Sequence, residues 1–80
     1  MTRVVYFNST GPQDPTRASL ALHLAANGSA EVGHDIDFVL VGDATELVRG
    51  TTIDTVQGVG VPSMRELVDK ALTKGVRFHI

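Results

Sequence analysis

Asn8-Ser9-Thr10-Gly11 groups an amide, two hydroxyls and a glycine just after the apolar run Val4–Phe7 and just before Asp14-Pro15. The run reads as a strand and Asp14-Pro15 as a helix start, so the four residues lie where a strand end meets a helix N-terminus. Free backbone N–H groups and the positive end of the helix dipole can hold a small anion there. The same residues can equally build a loop and cap network with a water in the ligand's place. Gln57, Gly58 and Gly60 form a second such loop ahead of a second helix. They can line one wall of the same crevice, or simply turn the chain back to the sheet. Asp43 follows the second apolar run and can face that crevice; its simpler role is to cap a short helix, Ala44 to Arg49. The Gly-Lys-Ser/Thr ending of a P-loop is absent, and the glycine spacing is not that of a dinucleotide site.

The titratable residues are less specific. His23, His34 and His79 have no metal-ligand spacing, and a lone imidazole specifies nothing. His79, on the last strand, is the histidine taken as a candidate ligand contact. Asp35 and Asp37 are two apart on a strand and so share a face. A carboxylate pair can do acid–base work, but ligands of open parallel sheets gather at the carboxyl ends of the strands, and these two sit at an entry end. They are expected to be solvated. With no Cys among the 80 residues there is no thiolate, disulfide or Cys-based metal site. Met1 and Met64 are thioethers and do not replace a thiolate. Nothing calls for a cofactor or a metal, and no catalytic residue is assigned.

The elements that would position these residues alternate. Val4–Phe7, Asp35–Val41 and Val76–Ile80 read as strands. The first lacks apolar/polar alternation, as in a parallel strand covered on both faces. Arg77 and His79 alternate with apolar neighbours in the third and hint at a less covered face. Between them lie a helix from Asp14-Pro15 toward Ala30 and another from Ser63 to about Lys74. In the first, Leu20 and Leu24 lie four apart and Ala18, Ala21, Leu22 and Ala25 widen the apolar face. In the second, Met64, Leu67, Val68, Ala71 and Leu72 are expected inward. Ser63 with Glu66 matches a capping box, and Gly75 a C-terminal cap. Residues 50–57 read as an irregular crossover. The order is βαβαβ, with right-handed crossovers. The expected fold is α/β, three parallel strands with helices on both faces.

Composition bounds the function classes. Eighty residues make one small domain, which buries only about 60% of the surface its unfolded chain exposes. Lys and Arg are scattered over a chain of net charge −2, and the aromatics are one Tyr and three Phe. No basic stripe or stacking platform is present, so nucleic acid is not an expected partner. The apolar runs are far shorter than a membrane span. Met1-Thr2-Arg3 leads straight into a strand, which argues against a secretory leader and for a cytoplasmic location.

Taken in order, Val4–Pro15, Ala18–His23, Phe38–Ala44, Gln57–Gly60 and Lys74–Val76 resemble the DsrE/DsrF-like family over essentially the whole chain. The resemblance implies a three-layer α/β/α domain, its parallel sheet of about five strands covered on both faces as such sheets ordinarily are. It also implies homo-oligomers or association with related subunits. The best-known members relay sulfur on a cysteine; many others have no assigned activity. Members usually continue past the strand matching Val76–Ile80 into a Cys-containing part, so this chain reads either as a C-terminally shortened relative or as a piece of a longer product. The expected function is that of a non-catalytic, oligomeric binding or sulfur-relay accessory module. Two alternatives stand beside it: a carrier or enzyme whose Cys-containing site lies beyond residue 80, and a small-anion or nucleotide-binding domain built on Asn8–Gly11 and Gly58–Gly60.

Overall fold

The computed structural model describes residues 2–80. Strand β1 (Arg3–Asn8) is followed by helix α1 (Pro15–Leu24), which runs on through a π turn at Ala25–Ser29. Strand β2 (Asp35–Leu40) leads into 3-10 turns at Gly42–Val48 and Thr52–Asp54, then helix α2 (Met64–Thr73) and strand β3 (Arg77–His79). The three strands are all parallel in the order β1-β2-β3, with Val5, Asp37 and Arg77 level across the sheet and Phe7, Val39 and His79 level one step further on. The α/β class and the parallel βαβαβ order are those expected from the sequence.

The helical cover differs from the expected three layers. Even-numbered β1 and β2 residues face the helices: Asn8, Ile36, Phe38 and Leu40 are buried, and Phe78 of β3 packs with them. On the other face Val5 and Phe7 are exposed, and no helix among the described residues covers them. The reason is topological. Both crossovers step in the same direction across the sheet, and two right-handed crossovers of that kind lay their helices on one face. The described residues therefore form two layers, helices on sheet.

Local chemistry explains the helix ends. Asp14 Oδ1 accepts from the Arg17 N–H (3.1 Å) and Pro15 occupies the first turn. Ser63 Oγ accepts from the Glu66 N–H (3.3 Å), and Gly75 takes the left-handed φ of +84° that ends α2. Apart from Leu22, the buried side of α1 is small: Ala18 and Ser19, continued by Ala25 and Ala26. Ser19 satisfies its buried hydroxyl by donating to the Pro15 carbonyl (2.7 Å). These small side chains let α1 lie close to the sheet and α2, which leaves Leu20 and Leu24, expected inside, on the surface. Leu72 of α2 is likewise exposed, because Leu67, Val68 and Ala71 already fill the contact. The π turn and the loop after it are tied to α2 by Lys70, whose ammonium meets the Asn27 side-chain carbonyl and Glu31 (2.7 Å). Lys70 and Lys74 hold the Glu31 carboxyl below its ordinary value.

Phe38 stands at the centre of the core. Its ring stacks on Tyr6 of β1 (centroids 5.8 Å apart) and lies tilted against Phe78 of β3 (5.7 Å). Tyr6 keeps its hydroxyl paired with Ser29 Oγ (2.6 Å), which joins β1 to the π turn. No helix among the described residues is long and apolar enough to cross a membrane. Phe38→Ala removes the ring that joins all three strands; we expect it to cost about 3–5 kcal/mol, read as a drop in the urea midpoint, whereas Leu20→Ala on the exposed side of α1 should change stability by less than about 1 kcal/mol.

Candidate functional site

The strand tips gather most of the residues singled out in the sequence, but they gather as a closed junction. Asn8 is buried; its Nδ2 donates to the Ala18 carbonyl (3.2 Å) and its Oδ1 accepts from the Thr10 N–H (3.0 Å). That second bond is an Asx turn and accounts for the loop's shape. Ser9 is exposed. Gly11 is packed so tightly that a Cβ there would lie 2.5 Å from the Asp43 carbonyl oxygen. Gly58 is similarly close to the first turn of α1, its hypothetical Cβ 2.9 Å from Thr16 Cα. The Thr16 hydroxyl accepts from the Val59 N–H (2.9 Å), and Gly60 turns the loop with a φ of +73°. Gln57 is spent on its own loop, donating to the carbonyls of Gly58 (3.0 Å) and Val61 (2.8 Å).

Asp43 does not cap a helix. The turn at Gly42–Val48 starts from Val41 without a side-chain cap, and the Asp43 carboxylate instead lies 3.5 Å from Gln13 Nε2. The anion-holding chemistry of the α1 N-terminus is partly taken up by the chain itself, since Asp14 already accepts from the first turn. A visiting anion would meet the carboxylates of Asp14 and Asp43 beside that turn. On the core side, Asn8, Leu22, Phe38, Leu47 and Met64 help to line a cavity of about 10 Å³, room for no more than a water.

His79 belongs to a different surface. Asn8 points to the helices, whereas His79 points to the bare face, where its Nε2 lies 3.0 Å from Asp37 Oδ1. Asp37, for which the sequence predicts a solvated carboxylate, is 4% exposed. Arg3 and Arg77 close over it from the flanking strands. Arg77 Nε and Nη2 donate to the two oxygens of Asp37 (2.8 and 3.1 Å), and its Nη1 donates to Asp35 (2.8 Å). Arg3 reaches Asp37 Oδ2 through Nε (3.0 Å) and Nη2 (2.8 Å). Donation from Arg77, then from His79 and Arg3, holds the Asp37 carboxyl well below the usual carboxylate range. Arg77 is pushed up in turn, first by Asp37 and then by Asp35. No group of three or more His, Cys, Asp or Glu among the described residues is placed to hold a metal ion.

The bare face is therefore an electrically balanced patch, Arg3 and Arg77 against Asp35 and Asp37, with Val5 exposed beside Asp37 on β1 and Phe7 and Val39 level with His79 at its far end. Phe7 is 69% exposed. Of this group only His79 is a candidate site residue on sequence grounds. The available signal was parity: Arg3, Val5 and Phe7, then Asp35, Asp37 and Val39, then Arg77 and His79 each repeat every second residue. Scans of the sequence against family models, curated proteins and solved structures returned no match.

The charge cluster sets a pH dependence. A carboxyl whose folded pKa is depressed adds stability that is complete above its unfolded value, about 3.9 for Asp, and is lost as pH falls through the folded value. Thermal midpoints should therefore hold steady above about pH 5 and fall as the pH drops below about 4. Asp37→Asn should lower the midpoint at pH 7 and flatten that acid limb, a pair of changes read from melts across the pH range.

Proposed function

We propose that the chain is a non-catalytic binding subunit that works through the bare face of its sheet, as a DsrE-like accessory module with no thiol of its own. The observation that supports this is Phe7, a large aromatic left 69% exposed beside Val5 on a face that parallel sheets ordinarily keep covered. A surface aromatic at the end of a neutralised ion cluster suits a protein partner. Asp37, the one deeply buried charge among the described residues, already has its counter-ions, so covering the face strands no unpaired carboxylate.

The partner is a second copy or a related subunit. The face carries two cations and two anions, so two copies meet without net repulsion. Two six-residue strands and one three-residue strand, about 4.8 Å apart and about 3.3 Å per residue, give a patch of about 240 Å². A stable interface uses about 800 Å² per partner, so the face of one copy supports weak association unless neighbouring copies enlarge it. In a sulfur-relay setting the module would position or shield a thiol carried by another protein. Its own residues supply no sulfur nucleophile.

Val39→Lys, a charge placed in mid-sheet away from both edges, should lower the mass average of concentrated solutions in sedimentation equilibrium; an unchanged mass average overturns the role of this face. Incubated with a persulfidated donor and an acceptor thiol, the chain should give no transfer above the uncatalysed rate. Turnover would overturn the non-catalytic assignment.

A further inference from the structure

The free edge of β1 shows a second surface, distinct from the sheet face. The Asp35 N–H donates to the Thr2 carbonyl (2.8 Å) and the Val41 N–H to the Asn8 carbonyl (3.0 Å), so the backbone groups of even-numbered β1 residues face β2. Backbone groups alternate sides along a strand, hence the N–H and C=O groups of Arg3, Val5 and Phe7 point outward. The strand order leaves that side of β1 without a neighbour among the described residues. Such an edge is a template for strand addition unless something blunts it. β1 is six residues long, with no proline and one charged residue, Arg3. The opposite edge is blunted: β3 has three residues, of which Arg77 and His79 are polar.

We propose that β1 pairs antiparallel with β1 of a second copy across a two-fold axis through Val5, giving one six-stranded sheet. The register follows from which groups are free. In an antiparallel ladder, hydrogen-bonded pairs form between residues that both point at the partner. Only the register that sets Arg3 against the partner's Phe7, and Val5 against the partner's Val5, pairs all three outward residues. A shift by two residues in either direction leaves one of them without a mate. In the chosen register the odd-numbered side chains of both copies stay on the bare face. Each Phe7 then lies beside the Arg3 of its neighbour, whose aliphatic stem can pack against the ring while its guanidinium stays on Asp37. The two Val5 side chains meet on the axis. An isologous contact of this kind closes at two copies. It also joins two bare faces into one patch of double width, which enlarges the surface invoked above; the edge pairing itself rests only on the free backbone groups.

The test uses the whole chain. Sedimentation and light scattering should give a species of twice the 8.5-kDa chain mass, a dimer that persists in Val39→Lys. Val5→Pro removes an outward N–H that β2 does not use, at an edge position where proline is tolerated. It should return the dimer to monomer with the far-ultraviolet circular dichroism unchanged. Phe7→Lys, made in the Val39→Lys background where the face is already disabled, sets a charge against the partner's Arg3 and should weaken dimerisation at least tenfold, which keeps the edge pairing open to measurement should the proline variant fail to fold. In a sample mixed from labelled and unlabelled chains, isotope-filtered spectra should show Hα–Hα contacts between Val4 of one copy and Tyr6 of the other. A wild-type chain that stays monomeric, a folded Val5→Pro that still dimerises, or a dimer without that contact overturns the edge pairing. Loss of assembly in Val39→Lys alone, with Val5→Pro unaffected, assigns association to the face and not to the edge.

Discussion

The central strand has to satisfy two opposite surroundings at adjacent residues. Phe38 looks toward the helices and must be packed on all sides; Asp37 looks the other way and must be neutralised once it is hidden. Neither can be met by β2 alone. The aromatic contact draws Tyr6 and Phe78 from the flanking strands, and the carboxylate draws Arg3, Arg77 and His79 from the same two strands. The parallel ladder is thus pinned on both faces by side chains as well as by its backbone bonds. In so short a β3, three residues long, these two anchors define the register: a slip by one residue would turn Arg77 into the core and Phe78 out of it.

The same economy shapes the strand tips. A parallel sheet brings the loops that leave its strands to one end, and here those loops are held together by contacts too close for a side chain. Gly11 rests on the Asp43 backbone and Gly58 on the first turn of α1. Asn8 and Asp14 use their side chains to satisfy backbone groups that a ligand might otherwise have met. What looks in the sequence like a binding loop is, in three dimensions, the knot that sets the crossover on the helix. The surface that remains open lies elsewhere, on the face that the helices never reach.

Much of the architecture was legible in the residues. Asp14-Pro15 and Ser63 mark helix starts because a short polar acceptor satisfies free N–H groups next to it, a local matter. Gly75 marks a helix end for an equally local reason, since only glycine enters positive φ without a Cβ penalty. The β-branched and aromatic runs around Phe7, Phe38 and Phe78 announce strands. Leu20, Leu24 and Leu72 mislead because periodicity shows which residues share a side of a helix but not which side meets the sheet. That choice went to Ala18, Ser19 and Ala25, whose small size permits the closer approach. Asn8, Gly11, Asp43 and Gly58 were recognisable as residues that come together; that they come together without leaving a gap depends on distances of a few ångströms between segments far apart in the chain.

By itself, then, the chain determined its class, its order of elements, where its helices start and stop, and the lack of a thiol, since each of these follows from residue type or from interactions within a few positions. Only the tertiary structure decided that both helices share one face, that Asp37 is a buried anion and not a solvated one, and that Phe7 and the outer groups of β1 are left free. Those outcomes hinge on strand order and crossover direction, which couple residues some thirty to forty positions apart. No local pattern encodes which neighbour a strand will choose.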